Sequence, residues 1–265
     1  MSTSDVKIKF LTYNVWCNEH VAVYRRMQSI SDLIASHAPD VIFFQLTRLH
    51  KVEQRDIEPM PSWLRPPPTP EGFLSAFLHS KRGSTLTDTD DVEQHDGRLH
   101  PVCCDRRLHV ATCRFPKPTQ SDIRSVDRIR IAQKYIGHFA KCHVSDHNAV
   151  LAGDMNWDDD LDGPFPIPAG SGWVDAWCGL RGGDGAGGWT YGSVANPMLR
   201  GFKPGWTRQD RFLCNASSGT STWTALRWSA EAIPGVTYYD DKGDVLPILP
   251  SHRFGLLLTI SPKQA

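Results

Sequence analysis

The sequence predicts an α/β protein built of packed layers of sheet and helix. Strand, helix and strand follow one another by residue 46, and the same order returns over 107–157. Beyond that the apolar segments read as strands, and no internal repeat links them. Strands in the majority with helices interleaved require layers, each burying one face against the next.

Residues 7–13 (KIKFLTY) alternate as a half-buried strand does, and Asn14 sits where that strand ends. From Tyr24 to Ala38, Met27, Ile30, Leu33 and Ile34 form one apolar helical stripe, and Pro39 stops the helix. VIFFQL (41–46) is apolar almost throughout, as a strand buried on both faces is. Residues 47–106 are different. PSWLRPPPTPEG (61–72) cannot supply ladder N–H groups and TLTDTDDVEQHDG (85–97) is polar, so 47–106 is expected to be degenerate or poorly ordered, with little regular sheet. RLHVATCRF (107–115) resumes as a strand, and SVDRIRIAQKYIGHFAK (125–141) places Ile129, Ala132, Ile136 and Phe139 at helical spacing. NAVLAGDMNW (148–157) is expected to be a buried strand delivering Asp154 and Asn156 to its C-terminal end. After loop-rich residues 158–206, RQDRFLC (208–214), TWTALRWS (222–229) and GLLLTI (255–260) complete the strands of one domain spanning 1–265.

With 265 residues, 40% of them apolar, the chain can bury a substantial core. A formal net charge of +0 argues against a polybasic tail, although a local basic groove is compatible with it. Seven cysteines without a C-x-x-C pair point to free thiols in a reducing compartment rather than to a zinc module or a disulfide framework. The opening MSTSDVKIKFL has no apolar signal core, and no run approaches the ~18 apolar residues of a membrane span. The expectation is an intracellular, monomeric protein with no membrane attachment.

Hard cations such as magnesium take oxygen ligands, so Asp, Glu and Asn at strand ends are the residue types to seek. Asp154 and Asn156 qualify, because positions two apart on a strand share a face, and Asn14 could meet them from the first strand. The alternative is a turn-forming Asx residue capping the next segment.

TYNVW (12–16), GDMNW (153–157), TRQDRF (207–212) and LPSHRFGLLLTI (249–260) resemble the metal-dependent endonuclease/exonuclease/phosphatase superfamily. Its pattern runs Asn after the first strand, a Q-E pair ending the second, H-x-E, G-D-x-N, R-x-D and S-D-H, and the likeness covers about 1–46 and 107–260. DGPFPIPAGSGWVDAW (162–177), GGWTYGSVANPML (187–199) and residues 231–260 resemble the 5′-tyrosyl-DNA phosphodiesterase branch, which uses magnesium to remove a topoisomerase tyrosine from a 5′ DNA end. The resemblance implies a two-sheet mixed, largely antiparallel β-sandwich flanked by helices. It also implies Mg2+ as cofactor, DNA 5′ ends or other nucleic acid as partner, a role in DNA repair, and a place in the nucleus or cytoplasm. Asn14 and Asp154 would hold the metal, weakly, and Asp154, Asn156 and Asp210 would be the surviving catalytic residues.

The departures fall on the chemistry. Leu46 stands where the metal-binding Glu belongs, Arg114 where a phosphate-contacting His is expected, and Pro116 in place of the Glu of H-x-E. The terminal S-D-H reads Ser251, His252, Arg253, so the general base is replaced by arginine. A guanidinium stays protonated at any working pH and leucine cannot ligate a hard cation. Asp210 is expected to pair with Arg253, giving a charge-compensated site without a base. His252, one position along a strand, is expected to face away from the site. Catalysis is therefore expected to be impaired; a non-catalytic relative that binds nucleic acid or protein, or a decayed gene product, are the alternatives. His138, His143 and His147 straddle a helix end and are expected at the surface, RSVDRIR (124–130) is expected to be a solvated helix face, and Trp173, Trp177 and Trp189 are expected in the core rather than in a DNA-end groove.

Overall fold

The computed structural model describes residues 7–16, 18, 20–46, 77–80, 99–102, 108–119, 122–141, 148–181, 183, 186–200, 205–216, 221–228, 231–240 and 242–262. In chain order the elements are β1 (Ile8–Val15), α1 (Val23–His37), β2 (Val41–Leu46), β3 (Phe77–Ser80), β4 (Leu99–Val102), β5 (Leu108–Arg114), α2 (Ser125–Lys141), β6 (Asn148–Asp154), α3 (Asp159–Asp162), β7 (Trp173–Asp175) and α4 (Ala176–Arg181). They continue with β8 (Tyr191–Gly192), β9 (Trp206–Thr207), β10 (Asp210–Ala216), β11 (Ser221–Trp228), β12 (Thr237–Tyr239), β13 (Val245–Pro247) and β14 (Gly255–Pro262).

Two five-stranded sheets, ordered β11-β14-β1-β2-β3 and β4-β5-β6-β10-β7, form the sandwich. Each is mixed in the same way: β1 pairs parallel with β2 and β5 with β6, while the other pairings are antiparallel. Phe10, Phe43 and Leu258 from one sheet meet Val110, Val150 and Phe212 from the other in an apolar central layer. The Phe43 and Phe212 rings make an edge contact at 6.1 Å across it. Burying each such side chain is worth about 1.5–3 kcal/mol, so this layer holds the two sheets together. The outer faces are covered by helices. Val23, Met27, Ile30 and Ile34 of α1 pack on Leu11, Tyr13, Ile42 and Phe44, and Ala132, Tyr135 and Ile136 of α2 pack on Ala111, Cys113, Leu151 and Leu213.

Where α1 ends, Ala38 adopts a left-handed conformation (φ 47°), its N–H donating to the Ile34 carbonyl, and Pro39 follows. Two short strands fall within the stretch expected to carry little regular sheet. Both β3 and β4 are four residues long and sit at sheet edges, where a single ladder suffices and a short apolar patch can form it. The rest of 47–106 lies outside the described residues, as do His143, His147 and the side chain of His138. RSVDRIR is not uniformly solvated: Arg128 is fully buried, its guanidinium bonded to Asp162 at 2.6 Å and to the Pro116 carbonyl at 3.1 Å. A buried guanidinium needs such partners, and it ties α2 to the segment leaving β5. Trp173 and Trp177 are core residues, and Trp189 is half-buried against Phe254 and Trp206.

Candidate active site

The polar residues collect at one end of the sandwich because strand registers bring them there. Asn14 lies opposite Gln45 on β1 and β2, Arg114 opposite Asp154 on β5 and β6, and Asp210 opposite Asp154 on β10 and β6. Asp210 opens its strand rather than closing it, since β10 runs antiparallel to β6. Gly153 makes the junction possible: with φ 152°, a Cβ there would lie 2.0 Å from the Cys113 carbonyl oxygen.

β6 stops at Asp154, three residues short of the expected Trp157. Asn156 is therefore not on a strand; its φ is 44°, and the two-residue alternation is not what places it. Instead Asp154 makes an Asx turn, its Oδ1 accepting the Asn156 N–H at 3.0 Å, while Asn156 Nδ2 donates to the Phe115 carbonyl at 2.7 Å. The capping role and the site role fall on the same aspartate.

Arg253 is the hub. Its buried guanidinium places Nη2 3.3 Å from Asn156 Oδ1 and 3.6 Å from Asp154 Oδ2, with Nη1 4.0 Å from Asp210 Oδ2. The guanidinium also lies over the Tyr191 ring, 5.1 Å from its centroid. The expected Asp210–Arg253 pair is the longest of the three contacts to oxygen, and Thr190 Oγ1 donates to the same Asp210 Oδ2 at 2.6 Å. Ser251 fixes the loop that carries Arg253. Its hydroxyl donates to the Asn14 carbonyl at 2.7 Å and accepts the Trp16 and Arg253 N–H groups at 3.0 and 3.3 Å.

His252 lies in a bend before β14, so strand alternation does not turn it away. Its Nε2 accepts from Arg253 Nε at 3.4 Å. Burial, then Arg253, Arg114, Arg26 and Lys117, push its pKa well below the ordinary histidine value. The ring nitrogen nearest Arg253 is thus an acceptor facing a guanidinium. Asp210 shows the opposite displacement: burial and the nearby Asp154 raise it to about 7, against the pull of Arg253.

The donor set does not fit a resident magnesium ion. Asp154 Oδ2 accepts from Asn14 Nδ2 at 2.6 Å, so the amide offers the carboxylate a donor, and Arg253 and Arg114 approach the same oxygen to 3.6 and 3.9 Å. A hard dication requires free oxygen ligands and no cations beside them. Leu46 closes β2 opposite Val15, and its side chain lies outside the described residues. Among the described residues no group of three or more His, Cys, Asp or Glu is arranged to hold a metal ion.

Asn14, Asp154, Asn156, Asp210, Arg114, His252 and Arg253 are thereby brought into one neighbourhood. Thr190 and Tyr191 belong to it as well, and nothing in WTYGS marks them as site residues; the β8–β9 pairing holds that segment near β10.

A helix–sheet–sheet–helix sandwich with carboxylates and amides gathered at one end of its strands defines the architectural class. The sequence pattern of the Endonuclease/Exonuclease/phosphatase family matches residues 11–233, and the chain belongs to that family. No curated protein matches the sequence. The fold is similar to D. rerio TDP2 complexed with single-strand DNA product (TM-score 0.70, 17% identity, covering 97% of this chain and 99% of that one). It is also similar to truncated Caenorhabditis elegans TDP2 (0.66, 14%, covering 96% and 98%). Sphingomyelinase C from Streptomyces griseocarneus shares it too (0.59, 13%, covering 96% and 99%), so the fold alone does not select a substrate.

Proposed function

We propose that this chain is a divergent copy of a 5′-tyrosyl-DNA phosphodiesterase whose hydrolytic chemistry is impaired and whose pocket is kept for contact with nucleic-acid ends. The observation that carries this reading is the buried Arg253, set between Asp154 and Asp210 where the family pattern has its base. It cannot accept a proton, and His252 beside it turns its lone pair to the same guanidinium. Asn14 and Asn156 then orient Asp154, and Arg253 offsets the charge of Asp154 and Asp210, instead of these groups working on a substrate. Magnesium binding is weak or absent on this reading, and the half-buried Arg114 and exposed Lys117 offer positive charge to a phosphate. Among the described residues no helix is long and apolar enough to cross a membrane. A single-domain monomer acting in the nucleus or cytoplasm completes the proposal.

The test is release of tyrosine from a 5′-phosphotyrosyl oligonucleotide, with and without magnesium. General acid–base catalysis contributes about 10²–10⁴-fold and a metal several kcal/mol more, so turnover is expected near background. Groups that act as a unit are not additive, so Leu46→Glu or Arg253→His alone should recover little. Leu46→Glu, Arg114→His, His252→Asp and Arg253→His together are the variant expected to regain activity. Robust magnesium-dependent turnover in the unmodified protein refutes the proposal. Failure to unfold cooperatively in urea would favour a decayed gene product.

A further inference from the structure

We infer that Arg253 is a tethered cation: its guanidinium fills an oxygen cage that the rest of the chain still builds, so the pocket holds its positive charge covalently and ignores free divalent ions.

The cage is visible around the guanidinium. Asn156 Oδ1, Asp154 Oδ2 and Asp210 Oδ2, from three separate positions along the chain, lie 3.3, 3.6 and 4.0 Å from its two terminal nitrogens. All three residues are buried, so their oxygens are held by the fold rather than by chance surface rotamers. A further acceptor is left over, since Asp210 Oδ1 is buried without a hydrogen-bond partner among the described residues. The guanidinium fills this cage imperfectly, as its Nη1 likewise lacks a hydrogen-bond partner. Two carboxylates and an amide oxygen are ligand types a hard divalent cation takes, but Arg253 stands among them and Asn14 already donates to Asp154 Oδ2. As they stand they do not offer themselves to a free ion, and a plane of nitrogens is a poor geometric substitute for one. The second cation at the site, Arg114, is only 3.9 Å from Asp154 and adds to the repulsion of any free ion.

Shortening Arg253 should therefore uncover a cation site that the unmodified protein does not offer. Arg253→Ala leaves two buried carboxylates facing each other and is expected to lose stability, which an added cation restores. The readout is the melting temperature of wild type, Arg253→Ala and Arg253→Lys in EDTA, in magnesium chloride and in low-millimolar guanidinium chloride. For the alanine variant, magnesium a hundredfold above its dissociation constant should raise the melting temperature by about 5–10 °C, with a smaller rise in guanidinium. Wild type and Arg253→Lys, which keeps a tethered charge, should shift by less than about 1 °C. If the alanine variant fails to fold in EDTA, recovery in magnesium supports the inference, and no recovery in either cation overturns it. A wild-type response equal to that of the alanine variant also overturns it.

The inference rests on the proposed function only for its biological sense, and a second arm keeps the two apart. Wild type should bind a 5′-phosphorylated oligonucleotide equally in EDTA and magnesium and more tightly than its 5′-hydroxyl form, whereas Arg253→Ala should require magnesium. Absence of any 5′-phosphate preference in wild type sinks the nucleic-acid reading, and the thermal measurements alone then decide the tethered cation.

Discussion

Removing the charge of Asp175 should destabilise the protein far more than removing that of Asp159, although both carboxylates bind the same pair of arginines. Asp175 closes β7 and is buried; its Oδ2 accepts from Arg208 Nη2 at 2.6 Å and Arg211 Nη1 at 2.9 Å, and its Oδ1 accepts the Trp177 and Cys178 N–H groups. At an effective dielectric of ~20 each ion pair is worth about 6 kcal/mol in gross Coulomb terms. Both arginines have already lost their water, so Asp175→Asn leaves uncompensated buried charge, for which about 3–5 kcal/mol is the usual cost. Arg211 keeps the bidentate Asp159, but Arg208 retains only Asp159 at 3.9 Å and the Cys178 sulfur at 3.0 Å. We therefore expect a loss of about 4 kcal/mol in urea unfolding and a fall in melting temperature of about 8–16 °C. The Asp159 side chain is 43% exposed, so Asp159→Asn should cost less than about 1 kcal/mol. Burial alone would raise the Asp175 pKa, but Arg211 and then Arg208 outweigh it and hold the carboxyl below its usual range. Its contribution is thus fully present above the unfolded value near ~3.9 and fades as pH falls through the folded value. The difference between wild type and Asp175→Asn should be flat above pH ~4 and shrink below it. Equal costs for the two substitutions, or an Asp175→Asn cost under about 1 kcal/mol, would refute the view that buried pairing at Asp175 holds β10 and its Asp210 in place.

Two further outcomes follow from the site. Asp210 is raised to about 7 from an unfolded value near ~3.9, so the folded state binds the extra proton and stability should decline as pH rises from about 4 to about 7. Asp210→Asn should flatten that slope in urea midpoints measured across the same range; an unchanged slope would assign the titration elsewhere. Gly153→Ala should cost about 3 kcal/mol or more, because the new Cβ meets backbone oxygen and the φ is unfavourable, whereas Gly163→Ala, with open space around it, should cost only about 1 kcal/mol. Comparable losses at the two glycines in chemical denaturation would show that the sheet junction relaxes around the added methyl.

The linear chain determined the layers and the gathering of the site. Apolar runs such as VIFFQL and helical stripes such as Met27, Ile30 and Ile34 record burial directly, because side-chain period follows backbone geometry. The family motifs alone single out Asn14, Asp154, Asn156, Asp210 and Arg253. Tertiary structure decided what those residues do to one another. Asn156 reaches the pocket through an Asx turn after β6 has ended, a consequence of hydrogen bonding that alternation does not encode. Arg253 lies nearer to Asp154 and Asn156 than to Asp210, whose Oδ2 accepts from Thr190, twenty residues away. Arg128 shows the same limit, since whether a helical arginine is solvated or buried depends on an acceptor such as Asp162, 34 positions away. Burial is written locally in hydrophobic period, but pairing of charges is a contest among groups distant in sequence, and only the folded chain brings the contestants together.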